Sequence, residues 1–240
     1  MKILKSFLDI FKNLYFVRKI YWTGYSYAKK LSFWITKGSV YIGQKVQIIG
    51  IDNILFGEHI SIGDFCWINI NHRVKPDELV IGDKSHIGRN NFISVGDHLK
   101  IGEYFFSSCY CSIIGASHDK DPFNSYIASK VVNLGSGISI GANVFMGAHS
   151  KIIGGVNVGF GSIISAGAIV TKDVPPLSLV VGSPAKVVAR FNSKKGEWSA
   201  AFDLHKVGDM SEEEYLQLVK NEKTKVTTPY HAASEKFGWI

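Results

Sequence analysis

From residue 138 to 172 the chain reads ISIGANVFMGAHSKIIGGVNVGFGSIISAGAIVTK, and an aliphatic side chain returns at every sixth position: Ile140, Met146, Ile152, Val158, Ile164 and Val170. Gly or Ser follows at Gly141, Gly147, Gly159 and Ser165. The residue two before the aliphatic is itself often small or apolar, as at Ile138, Val144, Val156 and Ala168. Strands of a sandwich alternate with period two and amphipathic helices repeat at 3.6, so neither explains a beat of six. A parallel β-helix does. Three hexads make one triangular turn, the aliphatics stack inward, and Gly or Asn at the corners supplies unusual backbone angles.

Upstream the beat is rougher: YIG at 41, FGE at 56, SIGD at 61, VIGDKSHIG at 80, SVGD at 94 and KIGE at 100. Val95, Ile101 and Ile113 keep multiples of six. Ile62 to Ile81 spans 19 residues, one over three hexads, and Ile87 to Val95 spans 8. Such slips predict small outward loops, NHRVKPDE (71–78) being one. The largest break is SIIGASHDKDPFNSYIAS (112–129): Ile113 and Ile140 are 27 apart, so the chain leaves the coil and returns. A loop of this length, 115–137, inside a compact repeat tends to be functional. Asp121-Pro122 starts a turn in it, and His118 stands at its exit from the coil.

Neutral imidazole suits removal of a proton from a hydroxyl. His118 wants an orienting acceptor, for which Glu103 and Asp119 are candidates, Asp119 alternatively touching the acceptor or shaping the turn. His59, His72, His86, His98 and His149 fall at separate corners or turns, and His205 and His231 near the C-terminus.

The net charge of +7 sits in one place. Residues 1–37 hold Lys2, Lys5, Lys12, Arg18, Lys19, Lys29, Lys30 and Lys37 against Asp9 alone, and the remainder is neutral in total. The body offers no broad basic face, which argues against nucleic-acid binding. Cys66, Cys109 and Cys111, odd in number and without a CxxC, read as small core residues of a reduced, cytoplasmic chain rather than as a disulfide framework or nucleophiles. No run of 18 uncharged apolar residues exists. Asp9, Lys12 and Asn13 break any signal-peptide core.

Residues 40–190 resemble the hexapeptide-repeat acyltransferases, most closely the sugar O-acetyltransferases. SHDKDP (117–122) and SAGAIVTKDVPPLSLVVGSPAKVVARF (165–191) carry the likeness, the latter stretch resembling a signature in which GAG-x-V-TKD-x-P leads to G-N-PAK. The resemblance implies an all-β fold, a left-handed parallel β-helix, assembled as a homotrimer with acetyl-CoA as co-substrate in a groove between two β-helices. It implies that His118 is the general base for transfer to a sugar hydroxyl, with no acyl-enzyme and no catalytic metal. Asn91 in RNNF resembles an Asn-Phe found near the active site in this family, and Asn90 competes for the match. By the same likeness Ala148 and Ala166 line the pantetheine channel, while Thr171, Lys172, Lys186 and Arg190 meet the nucleotide end. Phe145 stands where the family commonly has Trp, Ser183 replaces the Asn of G-N-PAK, and Gly154-Gly155 replaces a usual Pro-Gly. A γ-class carbonic anhydrase shares this coil but needs three zinc-bound His, two from a short local pair; no His-x4-His occurs.

Residues 3–22 pattern as an amphipathic helix, with Phe7, Phe11, Leu14 and Val17 on one stripe and lysines every seven. Two compatible roles fit the basic, aromatic segment 1–39: capping the first coil, and peripheral contact with the inner face of a membrane through residues 1–37. Over 191–240 the hexads are gone, and MSEEEYLQLVKNE predicts a short helix with Ser211 as N-cap and Glu214 at the capping-box position. The sum is an acetyl-CoA:sugar O-acetyltransferase working on a bacterial surface polysaccharide or its precursor. Transfer to an amino sugar, or a non-catalytic trimeric scaffold, are the alternatives.

Overall fold

The computed structural model describes residues 40–200 and 210–221, the Asn221 side chain excepted. The amphipathic N-terminal segment lies outside the described residues. The chain winds along three flat faces and visits each once per turn. The first face holds β1 (Val40–Ile42), β4 (Ile60–Ile62), β7 (His86–Ile87), β10 (Phe106–Ser107), β15 (Phe145–Met146), β18 (Ile163–Ile164) and β20 (Ser178–Val181). The second holds β2 (Gln47–Ile49), β5 (Trp67–Ile70), β8 (Phe92–Val95), β11 (Ser112–Ile114), β16 (Lys151–Ile153) and β19 (Ile169–Val170). The third holds β3 (Ile54–Phe56), β6 (Leu79–Ile81), β9 (Leu99–Ile101), β14 (Ile138–Ile140) and β17 (Asn157–Val158). Among these strands every pairing is parallel.

The register shows why the beat is six. Ile140 pairs with Val158, Met146 with Ile164 and Ile152 with Val170, so each aliphatic sits on its counterpart three hexads away. All six are at most 2% exposed. Their stack is the core, and because both sheet neighbours and the opposite faces are apolar, its drive is the removal of branched side chains from water. The coil is less regular upstream: Ile42 to Ile62 takes 20 residues and Ile62 to Ile87 takes 25. Ile62 and Ile81 lie on different faces, so the interval between them is two edges plus the loop 71–78, not one turn plus a residue.

Gly and Asn take the expected left-handed corner angles at Gly161, Gly167, Asn90 and Asn143, but carry only part of that work. Left-handed angles at the corners fall mostly on other residues. On the edge between the first and second faces they are Lys45, Phe65, Asn90, Tyr110 and His149; on the edge between the third and first they are His59, Lys84, Tyr104, Asn143 and Leu177. A left-handed L-residue costs about 1–2 kcal/mol, and from the second turn on these residues are compensated by a repeated bond to the preceding turn. The amide of Tyr110 donates to Arg89 O, that of His149 to Cys109 O, that of Tyr104 to Asp83 O and that of Asn143 to Glu103 O. The Gly after each aliphatic is instead required by close approach. A Cβ on Gly102 would stand 2.6 Å from Ala142 N, and one on Gly147 2.5 Å from Ala166 N. The Asp of the Gly-Asp motifs accepts a backbone N–H from the preceding coil, Gln44 N–H to Asp64 at 2.8 Å and Glu58 N–H to Asp83 at 2.9 Å.

After β20 the chain turns back as β21 (Lys186–Asn192) and β22 (Glu197–Ala200), both antiparallel. Residues 191–200, expected as tail, are therefore part of the first face. The parallel stack ends on an open strand edge, which favours pairing with whatever chain lies nearest. The C-terminal helix, α1 (Glu212–Asn221), then packs on the coil of its own chain. Tyr215 lies 5.0 Å from Phe160, Glu212 accepts the Ala142 N–H, and Lys220 pairs with Glu103 at 3.0 Å. The capping box forms: Ser211 Oγ accepts the Glu214 N–H at 3.1 Å and Glu214 Oε2 accepts the Ser211 N–H at 2.8 Å.

Candidate functional site

Between β11 and β14, where the chain turns from the second face to the third, a hairpin departs from the coil. Its strands are β12 (Ala116–His118) and β13 (Val131–Asn133), antiparallel and joined to none of the three faces. Gly115, buried at its root, keeps the coil ladder through its N–H to Ser94 O and also accepts the Leu134 N–H, so both hairpin legs leave from one point. The tip is set by acidic turns. Asp121 Oδ1 accepts the Phe123 N–H at 2.9 Å, Asp121 Oδ2 the Asn124 amide at 2.7 Å, and Asp119 Oδ1 the Asp121 N–H at 3.3 Å.

His118 ends β12 and is exposed. Its Nδ1 lies 3.0 Å from Ser129 Oγ, and that hydroxyl donates to Tyr126 O at 2.8 Å. Since the hydroxyl proton is committed to a carbonyl, Ser129 Oγ is left to accept. In the neutral ring, Nδ1 therefore carries the proton and Nε2 holds the lone pair. Ser129 is a functional candidate that sequence reading missed. It lies 11 residues from His118, and only the hairpin register brings the two together.

The other expected partners of His118 are elsewhere. Glu103 sits on the edge between the third and first faces and is bound to Lys220 of α1; His118 lies off the edge between the second and third. Asp119 accepts the Asp121 N–H on one carboxylate oxygen at 3.3 Å, and its own N–H donates to Lys130 O at 2.9 Å, which closes the hairpin. Asn91 is 3% exposed and bonded into the coil: its amide reaches Gly88 O, Ser107 Oγ and Ser108 O, and its Oδ1 accepts the Cys111 N–H. In this arrangement it braces the corner from a buried position. Asn90 beside it is one of the left-handed corner residues.

The residues assigned to a nucleotide thioester divide between edges. Ala148 and Ala166 stack on the edge between the first and second faces, where the Gly167 N–H donates to Ala148 O at 2.9 Å. Lys186 opens β21 and is exposed near that same edge, paired in register with Val181. Thr171 and Lys172 stand exposed on the edge between the second and third faces, two turns beyond the hairpin, in a corner pinned by Asp173, whose Oδ1 accepts the Asn157 N–H at 2.7 Å. Arg190 is half-buried: it donates to Pro176 O at 3.2 Å, and its buried Nε has no hydrogen-bond partner among the described residues. Part of its guanidinium therefore braces the end of the coil.

Burial pushes the Cys66 thiol up to about 11 and raises that of Cys111, so both are poor nucleophiles near neutrality. Burial pushes the His86 imidazole down to about 4; its Nδ1 lies 3.3 Å from Ser61 Oγ and its ring stacks on Phe106 at 5.1 Å. Among the described residues no three His, Cys, Asp or Glu side chains are grouped to hold a metal ion, and no helix is long and apolar enough to cross a membrane.

No family model matches the chain. Its sequence is 28% identical over 170 residues to a probable acetyltransferase of Mycobacterium tuberculosis, an alignment covering 70% of this chain and 54% of that protein. It is 30% identical over 140 residues to the galactoside O-acetyltransferase of Escherichia coli, covering 56% of this chain and 65% of that one. The chain thus spans about half the length of the first of these relatives. In structure it is similar to AntD, an N-acyltransferase from Bacillus cereus solved with dTDP and coenzyme A. The TM-score there is 0.54 at 21% identity, over 80% of this chain and 96% of that one.

Proposed function

We propose, on the premise that the chain is kin to the acetyltransferases with which its coils share sequence, that it transfers the acetyl group of acetyl-CoA to a hydroxyl of a sugar. The acceptor is a bacterial surface polysaccharide or its precursor, and the coil is left-handed, as in the hexapeptide-repeat acyltransferases that the sequence resembles. The observation that carries the reading is the relay from His118 Nδ1 through Ser129 Oγ to the Tyr126 carbonyl, which leaves Nε2 basic at the exposed end of a fixed hairpin.

In this reading Nε2 takes the acceptor hydroxyl proton as the oxygen attacks the thioester carbon. A corner N–H of the coil stabilises the oxyanion. The C–S bond then breaks, and the imidazolium returns its proton to the departing thiolate of CoA. The chain contributes the base and its orientation, and Ala148 and Ala166 leave room for a pantetheine arm. Thr171, Lys172 and Lys186 supply hydroxyl and ammonium groups for its phosphates.

Two edges of one prism cannot both touch a single thioester across the second face. A cyclic trimer resolves this, because a heterologous contact sets one edge of a subunit against the other edge of its neighbour. The outward side chains of the second face suit such a contact: Trp67 and Phe92 lie 5.0 Å apart, with Ile49, Ile114 and Ile153 in the adjacent row.

The test is CoA release from acetyl-CoA with a panel of neutral and amino sugars, comparing the wild type with His118→Ala. Wild-type release with neutral sugars, and a loss of about 10²–10⁴-fold in the variant with acetyl-CoA binding retained, is expected. Release with amino sugars alone would replace O-transfer by N-transfer. Absence of acetyl-CoA binding by either protein would leave a scaffold.

A further inference from the structure

The loop 71–78, an outward slip in the hexad rhythm, carries a histidine with no part in the chemistry above. The loop is held rather than loose. Glu78, 2% exposed, accepts the backbone N–H groups of Arg73 at 3.1 Å, Lys75 at 2.9 Å and Val74 between them. Asn71 is tied to the next coil through Ser94 Oγ at 3.0 Å and Val95 O at 2.6 Å. The result is a fixed platform for His72, two turns below the hairpin.

From there His72 Nε2 donates to Asn133 Oδ1 at 2.7 Å, joining residues 61 apart in sequence. Among the described residues this is the side-chain hydrogen bond that ties the hairpin to the coil. The intervening turn makes room for it. Its corner residue is Gly96, where a Cβ would stand 2.0 Å from Gly115 O and 3.3 Å from Asn133 Oδ1. Asn133 lies opposite Ala116, and Val131 opposite His118. Opposed residues of an antiparallel pair share a face and positions two apart share it too, so Asn133 and His118 belong to the same face of the hairpin. A two-stranded hairpin is marginal alone in water, so an anchor at its root decides where its free end stands.

We propose that His72 is a positioning residue for His118, acting through Asn133: the loop 71–78 holds the root of the hairpin and so fixes the imidazole at its end. What His118 does when held there rests on the transfer reading above; the coupling itself does not. Asp97 and His98, bonded to each other at 3.0 Å, stand on the same edge one turn from His72, and Asp97 is held below the usual carboxylate range first by that His98 bond and further by the Lys75 and His72 charges. They flank the clamp without being part of it.

The experiment compares wild type, His72→Ala, Asn133→Ala, the double variant and His72→Gln in the full-length chain. It measures amide hydrogen exchange at Asp119, whose N–H closes the hairpin, together with turnover and KM for acetyl-CoA on whichever neutral sugar the wild type acetylates. Expected are faster exchange at Asp119 in either single variant and a double variant no worse than either single. His72→Gln, which keeps an N–H donor, should behave as wild type. Turnover should fall about tenfold in His72→Ala at unchanged KM for acetyl-CoA, as for a displaced reacting group. Unchanged exchange in His72→Ala, additive losses in the double variant, or a His72→Gln variant as impaired as His72→Ala would each overturn the proposal. If the wild type acetylates no sugar, the transfer reading fails while the exchange measurements still decide this one. If His72→Ala does not fold, Asn133→Ala carries the same comparison.

Discussion

At Gly102 and Gly167 the same residue type answers two different needs. A methyl group on Gly102 would meet Ala142 N at 2.6 Å; one on Gly167 meets nothing within 4 Å but sits at a φ of +70°. Gly102→Ala is therefore expected to cost about 1–3 kcal/mol through forced separation of two turns. Gly167→Ala is expected to cost about 1 kcal/mol through backbone strain alone. Denaturant midpoints of the two variants check the order. Ser129 offers another residue-level outcome. In Ser129→Ala the Nδ1 proton of His118 loses its acceptor, so the tautomer is no longer enforced. Turnover should fall by less than in His118→Ala, and loss of the half-buried hydroxyl, which also donates to Tyr126 O, should cost about 0.5–1.5 kcal/mol of stability. Neither Ser129 nor the role of Asn91 was legible in the sequence. An Asn at a coil corner serves a substrate or braces the backbone equally well on paper. Only the register shows its amide surrounded by Gly88, Ser107 and Ser108.

Among the elements, α1 is the one whose signals were plain in advance. Ser211 and Glu214 form the reciprocal cap that their spacing predicts. Removing it in Ser211→Ala should cost about 1 kcal/mol, seen as faster amide exchange at Glu214. The helix surface that faces the coil was not legible, because Tyr215 and Glu212 meet Phe160 and Ala142 more than fifty residues upstream. The regular strands over 138–172 were equally plain, the beat of six naming one inward aliphatic in each. Further upstream the faces could not be counted. Turns of 20 and 25 residues hide which edge a residue occupies there.

For the whole molecule, acid sensitivity and subunit sharing are the two measurable consequences. His86 binds a proton at about 4 when folded and near its ordinary 6.5 when unfolded. Between those values the unfolded chain holds more protons, so stability falls as pH drops through that window, by roughly 3 kcal/mol in total at most. His86→Phe should flatten the pH dependence of unfolding between pH 6.5 and 4, and an unchanged slope would dissociate the two. If transfer needs edges from two chains, co-refolding inactive His118→Ala with inactive Ala166→Trp should restore part of the activity. In each mixed trimer one groove pairs an intact His118 with an intact Ala166. Sedimentation should show three chains in the active species.

The hairpin leaves the ladder undisturbed. On either side of its departure β11 still pairs with β8 and β16, and β14 still pairs with β9, as though Gly115 ran straight on to Ile138. Scaffold and proposed base are thus written in separate lengths of chain. Cutting out 116–133 and bridging the gap with a few glycines should yield a prism that melts cooperatively and catalyses nothing, and a foreign excursion spliced at the same point would inherit a rigid mount.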